Sequence, residues 1–342
     1  MKKLSVFILC AVAFIFSSCS TTKDSKSYLS ATTLPSMCPL TGLPAPGGSV
    51  PNRPALAIKV DNYPTARPQS GLMHADVIYE EPVEGGITRY VAVFQCQGSQ
   101  EVGPVRSARA IDAQILPQLS DPLFIHAGGI DPVLSLLHQA AIHDIEIFDY
   151  PSLQIHPSGR YAPYDTYIST SSGWSIDSSD NSVPNPIFAF SDAMPPNSQS
   201  VQSFNVDFSW ASNVTWQWSS QDNKWLRYYN TNRGVTQAVT ANGNPIAFTN
   251  VIVQMIKTYL GPWAENSSGS KEVMTNLISS GPAYIFTDGE MIKGTWSRSS
   301  VTEATQYLNA NGNPIALHPG NTWVELLPQT GTFSYQASSG TS

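Results

Sequence analysis

The chain has 342 residues, of which 41% are hydrophobic, enough to bury the core of one large or two ordinary domains and too many for disorder throughout. Only 13% are charged, about half the usual share, and Ser, Thr, Asn and Gln carry the polarity instead, as suits a protein outside the cytoplasm. The formal net charge is -7 with no basic run, which excludes nucleic acid as a partner because phosphate contacts need clustered Lys and Arg.

Lys2 and Lys3 form a positive start, and Leu4 to Phe16 is an apolar stretch too short for a comfortable membrane span. Phe16-Ser17-Ser18-Cys19 follows, a lipobox-like order of bulky, small, small, Cys. Residues 1–18 therefore read as a lipoprotein signal peptide, with Cys19 lipidated, palmitate included, and the body lipid-anchored outside the bacterial cell membrane. Residues 19–37 read as a flexible Ser/Thr-rich tether. Cys10 leaves with the leader, so two cysteines remain in the body. Cys38 and Cys96 can form a disulfide or stay as two buried thiols, and spacing leaves both open. No Cys-x-x-Cys occurs, and neither a metal nor a cofactor is expected.

Along the body, 54–60, 76–80 and 88–94 read as strands, the last two around Gly85-Gly86. Ser107 to Leu119 has helical spacing, with Ala108, Ile111, Ile115 and Leu119 on one stripe. Strand 123–126 closes at Gly128-Gly129, Asp131 caps a helix running to His138 with Pro132 at its first position, and 145–148 is a further strand. Alternating strands and helices predict an α/β layered domain over 38–198, ending in a Ser/Pro-rich linker or surface excursion from Ser169. Residues 199–330 read as a mainly antiparallel β domain, so the expected class is α+β overall. Phe204, Val206 and Phe208 alternate, as do Val214, Trp216 and Trp218, and Trp210 is placed with the buried face. Asp288-Gly289 marks a hairpin. Ala241 to Ala247 recurs as Ala310 to Ala316, predicting two similar hairpins in one sheet. Residues 331–342 read as a frayed tail.

No nucleophile elbow, P-loop, H-E-x-x-H or dinucleotide fingerprint is present. Ser20-x-x-Lys23 and Ser268-x-x-Lys271 match S-x-x-K, but Ser is abundant and no companion motif accompanies either. Charge is scarce here, yet Glu80, Glu84, Arg89, Arg106 and Arg109 fall together among apolar strands. One reading is a structural ion network. The other is a cleft for an anionic ligand built from Arg67, Glu80, Glu84, Arg89, Arg106, Ser107, Arg109 and His126. Ser107 is expected to cap the following helix beside Arg106. The ligand is expected to be a cell-wall component or an envelope protein, bound without catalysis. The alternative is a polysaccharide hydrolase or lyase using Glu80, Glu81 or Glu84. A raised carboxyl pKa in an open cleft favours the enzyme, and carboxylates all paired with cations favour a network.

Cys38-Pro-Leu-Thr-Gly-Leu43, Arg67-Pro-Gln-Ser-Gly-Leu72, Glu84-Gly-Gly-Ile-Thr-Arg89, Gly103-Pro-Val-Arg-Ser-Ala-Arg109 and His126-Ala-Gly-Gly129 together resemble the YerB-like family of bacterial lipoproteins. The carboxyl half resembles its second domain through Asn250-Val-Ile-Val253, Asp288-Gly289, Gly294-Thr-Trp296 and Gly320-Asn-Thr-Trp323. The resemblance covers roughly 38–328 and implies two domains and an envelope location, with no established reaction. Where that family usually reads Ala-Pro-His-Asn, this chain has Ala162-Pro-Tyr-Asp165.

Overall fold

Leu56–Asp61, Val77–Pro82, Thr88–Phe94, Leu123–His126 and Thr322–Pro328 are buried along their whole length, because both of their faces are covered. The computed structural model describes residues 36–194 and 196–338, so the leader, Cys19 and most of the tether lie outside the described residues. The described chain is 13% helical and 42% strand. In the first half lie β1 (Leu56–Asp61), β2 (Val77–Pro82), β3 (Thr88–Phe94), β4 (Leu123–His126) and β5 (His143–Glu146). A meander follows, β6 (Gln199–Ser209), β7 (Ser212–Ser219), β8 (Lys224–Thr231) and β9 (Gly234–Gln237). Next come β10 (Asn250–Ile256), the hairpin β11 (Thr258–Ala264) and β12 (Lys271–Thr275), then β13 (Ser280–Thr287) and β14 (Glu290–Ser297). Last are β15 (Thr322–Pro328) and β16 (Thr332–Ala337).

One sheet runs through both halves, in the order β9-β8-β7-β6-β14-β13-β10-β15-β2-β3-β1-β4-β5. Its seam is β15, which pairs in parallel with β2 on one side and β10 on the other. β1, β4 and β5 are also mutually parallel, so Asp61, His126 and Glu146 lie at a common carboxyl end. One face carries Ile58, Ile78, Tyr90 and Trp323, over which the meander folds Trp216 and Trp225. Trp216 meets Trp323 edge-on at 5.4 Å between ring centroids, a favoured aromatic geometry. The other face carries Ala57, Val77, Tyr79 and Val324 and is covered by Ala108, Ile111, Ile115 and Val133. Strand alternation thus sends Glu80 to the first face and its neighbour Glu81 to the second. Cys38 and Cys96 are joined by a disulfide across 58 residues, for which chain entropy gives about 4 kcal/mol.

Several expectations are corrected. The stripe over 107–119 is buried as its spacing requires, but only α1 (Asp112–Ile115) is α-helical, followed by a 3-10 turn at Leu116–Leu119. Ser107 caps nothing, because the amide of Arg109 donates to the Asp112 carboxylate at 2.7 Å and the helix starts there. α2 (Asp131–Leu137) has Ile130 as its N-cap residue, so Asp131 is inside the helix. The strand expected at 145–148 ends at Glu146, and Ile147–Asp149 is a 3-10 turn. The stretch from Ser169 begins with α3 (Thr170–Ser175), whose Gly173 lies flat against Leu56 and Ile125. The two Ala-Asn-Gly-Asn-Pro-Ile-Ala turns match, with Gly243 and Gly312 at φ of 81° and 79°, but Ala316–Leu317 pairs with Ala189–Phe190 in a separate small sheet. Residues 332–337 are ordered as β16 on β6, because Phe333 and Tyr335 alternate into the core, and the tail beyond 338 lies outside the described residues. Trp216 is buried, whereas Trp210 is 72% exposed at the β6–β7 turn.

Candidate functional site

Strand alternation separates the expected Arg and Glu residues into three groups. Glu80 points toward the meander and bonds Arg227 Nη2 at 2.6 Å; Arg227 Nη1 reaches Glu325 at 2.8 Å. None of these three side chains is exposed. Thr88 and Ser212 hydroxyls donate to Glu80 at 2.7 Å each, and the Trp216 indole N–H donates to Glu325 at 2.8 Å. Burial disfavours both carboxylates, but Arg227 and these donors hold Glu80 below the usual range, while burial and the neighbouring Glu80 charge push Glu325 well above it. The two carboxyls of the triad are thus pushed in opposite directions around one guanidinium. Arg67 stands beside it, donating to the carbonyls of Asn62 and Ala211 at 3.0 and 2.9 Å, with its guanidinium 4.0 Å from the Tyr229 ring.

The second group lies on the opposite face. Lys59 bonds Glu81, and bonds Asp112 at 2.7 Å, all without exposure. Burial and then the Asp112 charge push Glu81 up to about 8. Arg109 grips Glu84 with a fork, Nε to Oε2 at 2.8 Å and Nη2 to Oε1 at 2.5 Å. Arg109 also approaches Glu265 at 3.1 Å and Glu272 at 3.6 Å, both from the β11–β12 hairpin. Burial opposes the Glu84 charge, but the Arg109 fork outweighs it and holds Glu84 at about 2. Burial, then a hydrogen bond to Glu265, pushes Glu272 up to about 9. Oxygens of Glu84, Glu265 and Glu272 lie within 4.8 Å of one another, close enough to share a cation, and Arg109 is that cation. Arg89 is spent on the Ser107 carbonyl at 2.8 Å, with Glu84 at 3.6 Å.

The third group is open and sits at the carboxyl ends of β1, β4 and β5, where ligands of open α/β sheets gather. The Arg106 amide donates to the Lys59 carbonyl and its carbonyl accepts from Ala127, which stitches this residue between β1 and β4. Its side chain is 31% exposed and meets Asp61 at 3.0 Å. Tyr164 lies 6.0 Å from its guanidinium and stacks in turn on Tyr63. The position where the resembling family reads His-Asn therefore falls at this corner. His126 bonds Asp144 at 2.7 Å through Nε2 and the Gly128 carbonyl at 3.0 Å through Nδ1. Both partners are acceptors, so the ring carries both protons. Burial lowers the His126 pKa, but Asp144 outweighs it and the net shift is upward.

The expected eight residues thus form no single cleft. Glu84, Arg89 and Arg109 come together, with Ser107 contributing its carbonyl; Arg106 and His126 share the strand-end corner; Glu80 and Arg67 face the meander. Arg227, Glu325, Lys59 and Asp112 were not singled out from the sequence. Arg227 had a signal, since it alternates in phase with Trp225 and Tyr229 on the inward face of β8.

No described helix is long and apolar enough to cross a membrane. The chain is 29% identical to the Bacillus subtilis protein named "Putative lipoprotein YerB", over 99% of this chain and 100% of that protein. The crystal structure of YerB protein from Bacillus subtilis superposes with a TM-score of 0.73 at 25% identity, covering 87% of this chain and 99% of that one. Residues 40–181 match the N-terminal domain, and residues 204–324 the C-terminal domain, of the family described as protein of unknown function (DUF3048). The chain belongs to this two-domain DUF3048 family.

Proposed function

We propose that this chain is a lipid-anchored binding protein of the bacterial envelope, without catalytic chemistry, that receives an anionic wall component or a carboxylate of a protein partner at Arg106. The carrying observation is the contrast among arginines. Arg89, Arg109 and Arg227 are buried on carboxylates or a carbonyl, whereas Arg106 keeps 31% of its side chain in solvent and has Asp61 as its ion-pair partner among the described residues. It stands at the carboxyl ends of parallel strands with part of its side chain in solvent, suited to a bidentate carboxylate or phosphate. The name of the Bacillus subtilis relative, and the Phe16-Ser17-Ser18-Cys19 segment, support anchoring through Cys19. Polysaccharide cleavage by Glu80, Glu81 or Glu84 has less support. Glu80 and Glu81 have no exposed side chain, Glu84 is 10% exposed, and each is bonded to a cation.

Two experiments test the reading. Cys19→Ala should move the protein out of the membrane fraction, and full retention there ends the lipoprotein part. Arg106→Ala should weaken binding to isolated wall material by at least about 10-fold, with little rescue by Arg106→Lys because the planar fork is lost. A parent protein that does not bind wall material or membrane extracts ends the binding part.

A further inference from the structure

The outer face of the meander has a different chemistry from the strand-end corner. Strand alternation buries Phe204, Val206 and Trp216 and turns their neighbours outward. Apart from Asp207, those neighbours are amides and hydroxyls. Asn213 Oδ1 accepts from Asn205 at 2.8 Å and from Asn230 at 2.7 Å, and Thr215 accepts from Asn230 at 2.9 Å. The amides are therefore locked in orientation across three strands. At the edge of this face is a groove of about 500 Å³, lined by Asp207, Asn213, Asn230, Asn232, Thr332 and Trp210 among others. No Lys or Arg lines it.

Trp210 is 72% exposed, an unusual place for so large an apolar surface. It is also held. Its indole N–H donates to the Gly85 carbonyl at 3.3 Å, and its edge rests on Gly86, where an added Cβ would lie 3.2 Å from Nε1. Gly86 has a φ of 75°, so both backbone and space favour glycine there. The ring is held at its N–H edge while the residue stays mostly in solvent.

We infer that this groove binds a neutral polysaccharide, with a pyranose ring packed on Trp210 and its hydroxyls bonded to the Asn amides and the Asp207 carboxylate. The C–H face of a pyranose is apolar and matches an aromatic plane. Its edge hydroxyls both donate and accept, as do fixed amides and hydroxyls. A polymer bearing phosphate or sulfate finds no cation in the groove and meets Asp207. A membrane-seeking face would set basic residues around the tryptophan, and here amides and hydroxyls surround it. This surface is separate from Arg106, so the inference does not depend on the proposal for that residue.

The test uses the full chain in detergent with two neutral probes, soluble N-acetylglucosamine oligomers and insoluble chitin. Tryptophan fluorescence titration and co-sedimentation are the readouts. The parent should bind at least one probe. Trp210→Ala should weaken that binding by at least about 10-fold, the effect of truncating a central aromatic anchor, while Trp210→Tyr keeps most of it. Tyr259→Ala, which removes an exposed ring on β11 outside the groove, should bind the same probe like the parent. Failure of the parent with both probes, or equal binding by a folded Trp210→Ala, overturns the inference. So does Trp210-dependent binding to phosphatidylglycerol vesicles in place of the polysaccharides.

Discussion

Arg227 and Arg106 are both bonded into the sheet beside a carboxylate, yet they differ in what surrounds them. Arg227 has no exposed surface, two glutamates and a ring of Trp and Tyr side chains. Arg106 has one aspartate and 31% of its side chain in water. A desolvated cation must have its partners in the fold, so Arg227 is committed to holding the meander onto β2 and β15. A half-solvated cation has water for its remaining donors, and a ligand can replace that water. Position along the sheet sets the difference: Arg227 lies between the meander and the strands β2 and β15, whereas Arg106 lies at the carboxyl ends of β1 and β4.

The comparison breaks first at Arg227. Arg227→Met should cost about 3–5 kcal/mol in urea unfolding, because two buried carboxyls lose their only cation. A loss below about 1 kcal/mol would put Arg227 in the same class as a surface pair. Replacing Cys38 and Cys96 together by Ser should cost about 2–4 kcal/mol, without touching either charged region.

Glu272 sharpens the contrast through pH. Its pKa in the fold, about 9, lies above the ordinary 4.5, so the fold binds its proton more tightly than the unfolded chain does. Its contribution is complete below about pH 4.5 and falls as pH rises toward 9. Glu272→Gln, an uncharged mimic, should flatten stability across that window. Glu84 acts in the opposite sense: held at about 2, it stabilises above 4.5 and loses that contribution as pH falls from 4.5 toward 2. An unchanged pH profile in Glu272→Gln would mean that Glu272 is ionised in the fold. The smallest effect is expected at Arg106→Ala, about 1–2 kcal/mol of stability, because Asp61 is buried but keeps the Tyr63 amide as a donor and Arg106 itself is 31% exposed. A large stability loss there would erase the distinction between the two arginines.

Local pattern made much of this legible. Alternation located the strands, the Asp288-Gly289 hairpin stands with both residues at positive φ, and the 107–119 stripe is buried. Lys59, Arg227 and Glu325 each interrupt an apolar strand, which marks them as charges in need of partners. Their pairing was not legible. Glu80 and Arg227 are 147 positions apart, and they meet because β15 brings the meander over β2. Trp210 misled for a local reason: it continues the alternation of β6 by one step, but the chain turns at that step.

β15 has a consequence for the order of events as the chain is made. The sheet of the first half presents β2 as an edge until residues 322–328 arrive to pair with it. A chain emerging amino end first therefore exposes that edge through most of its emergence, and closes it only near the end. Such closure between distant segments is slow and leaves unpaired strand edges open to aggregation. A version stopped before residue 322 would retain the disulfide and β1 to β5, yet would lack both the parallel neighbour of β2 and the Glu325 end of the buried triad. Completion of the molecule is thus registered at its centre by one of the last strands to appear.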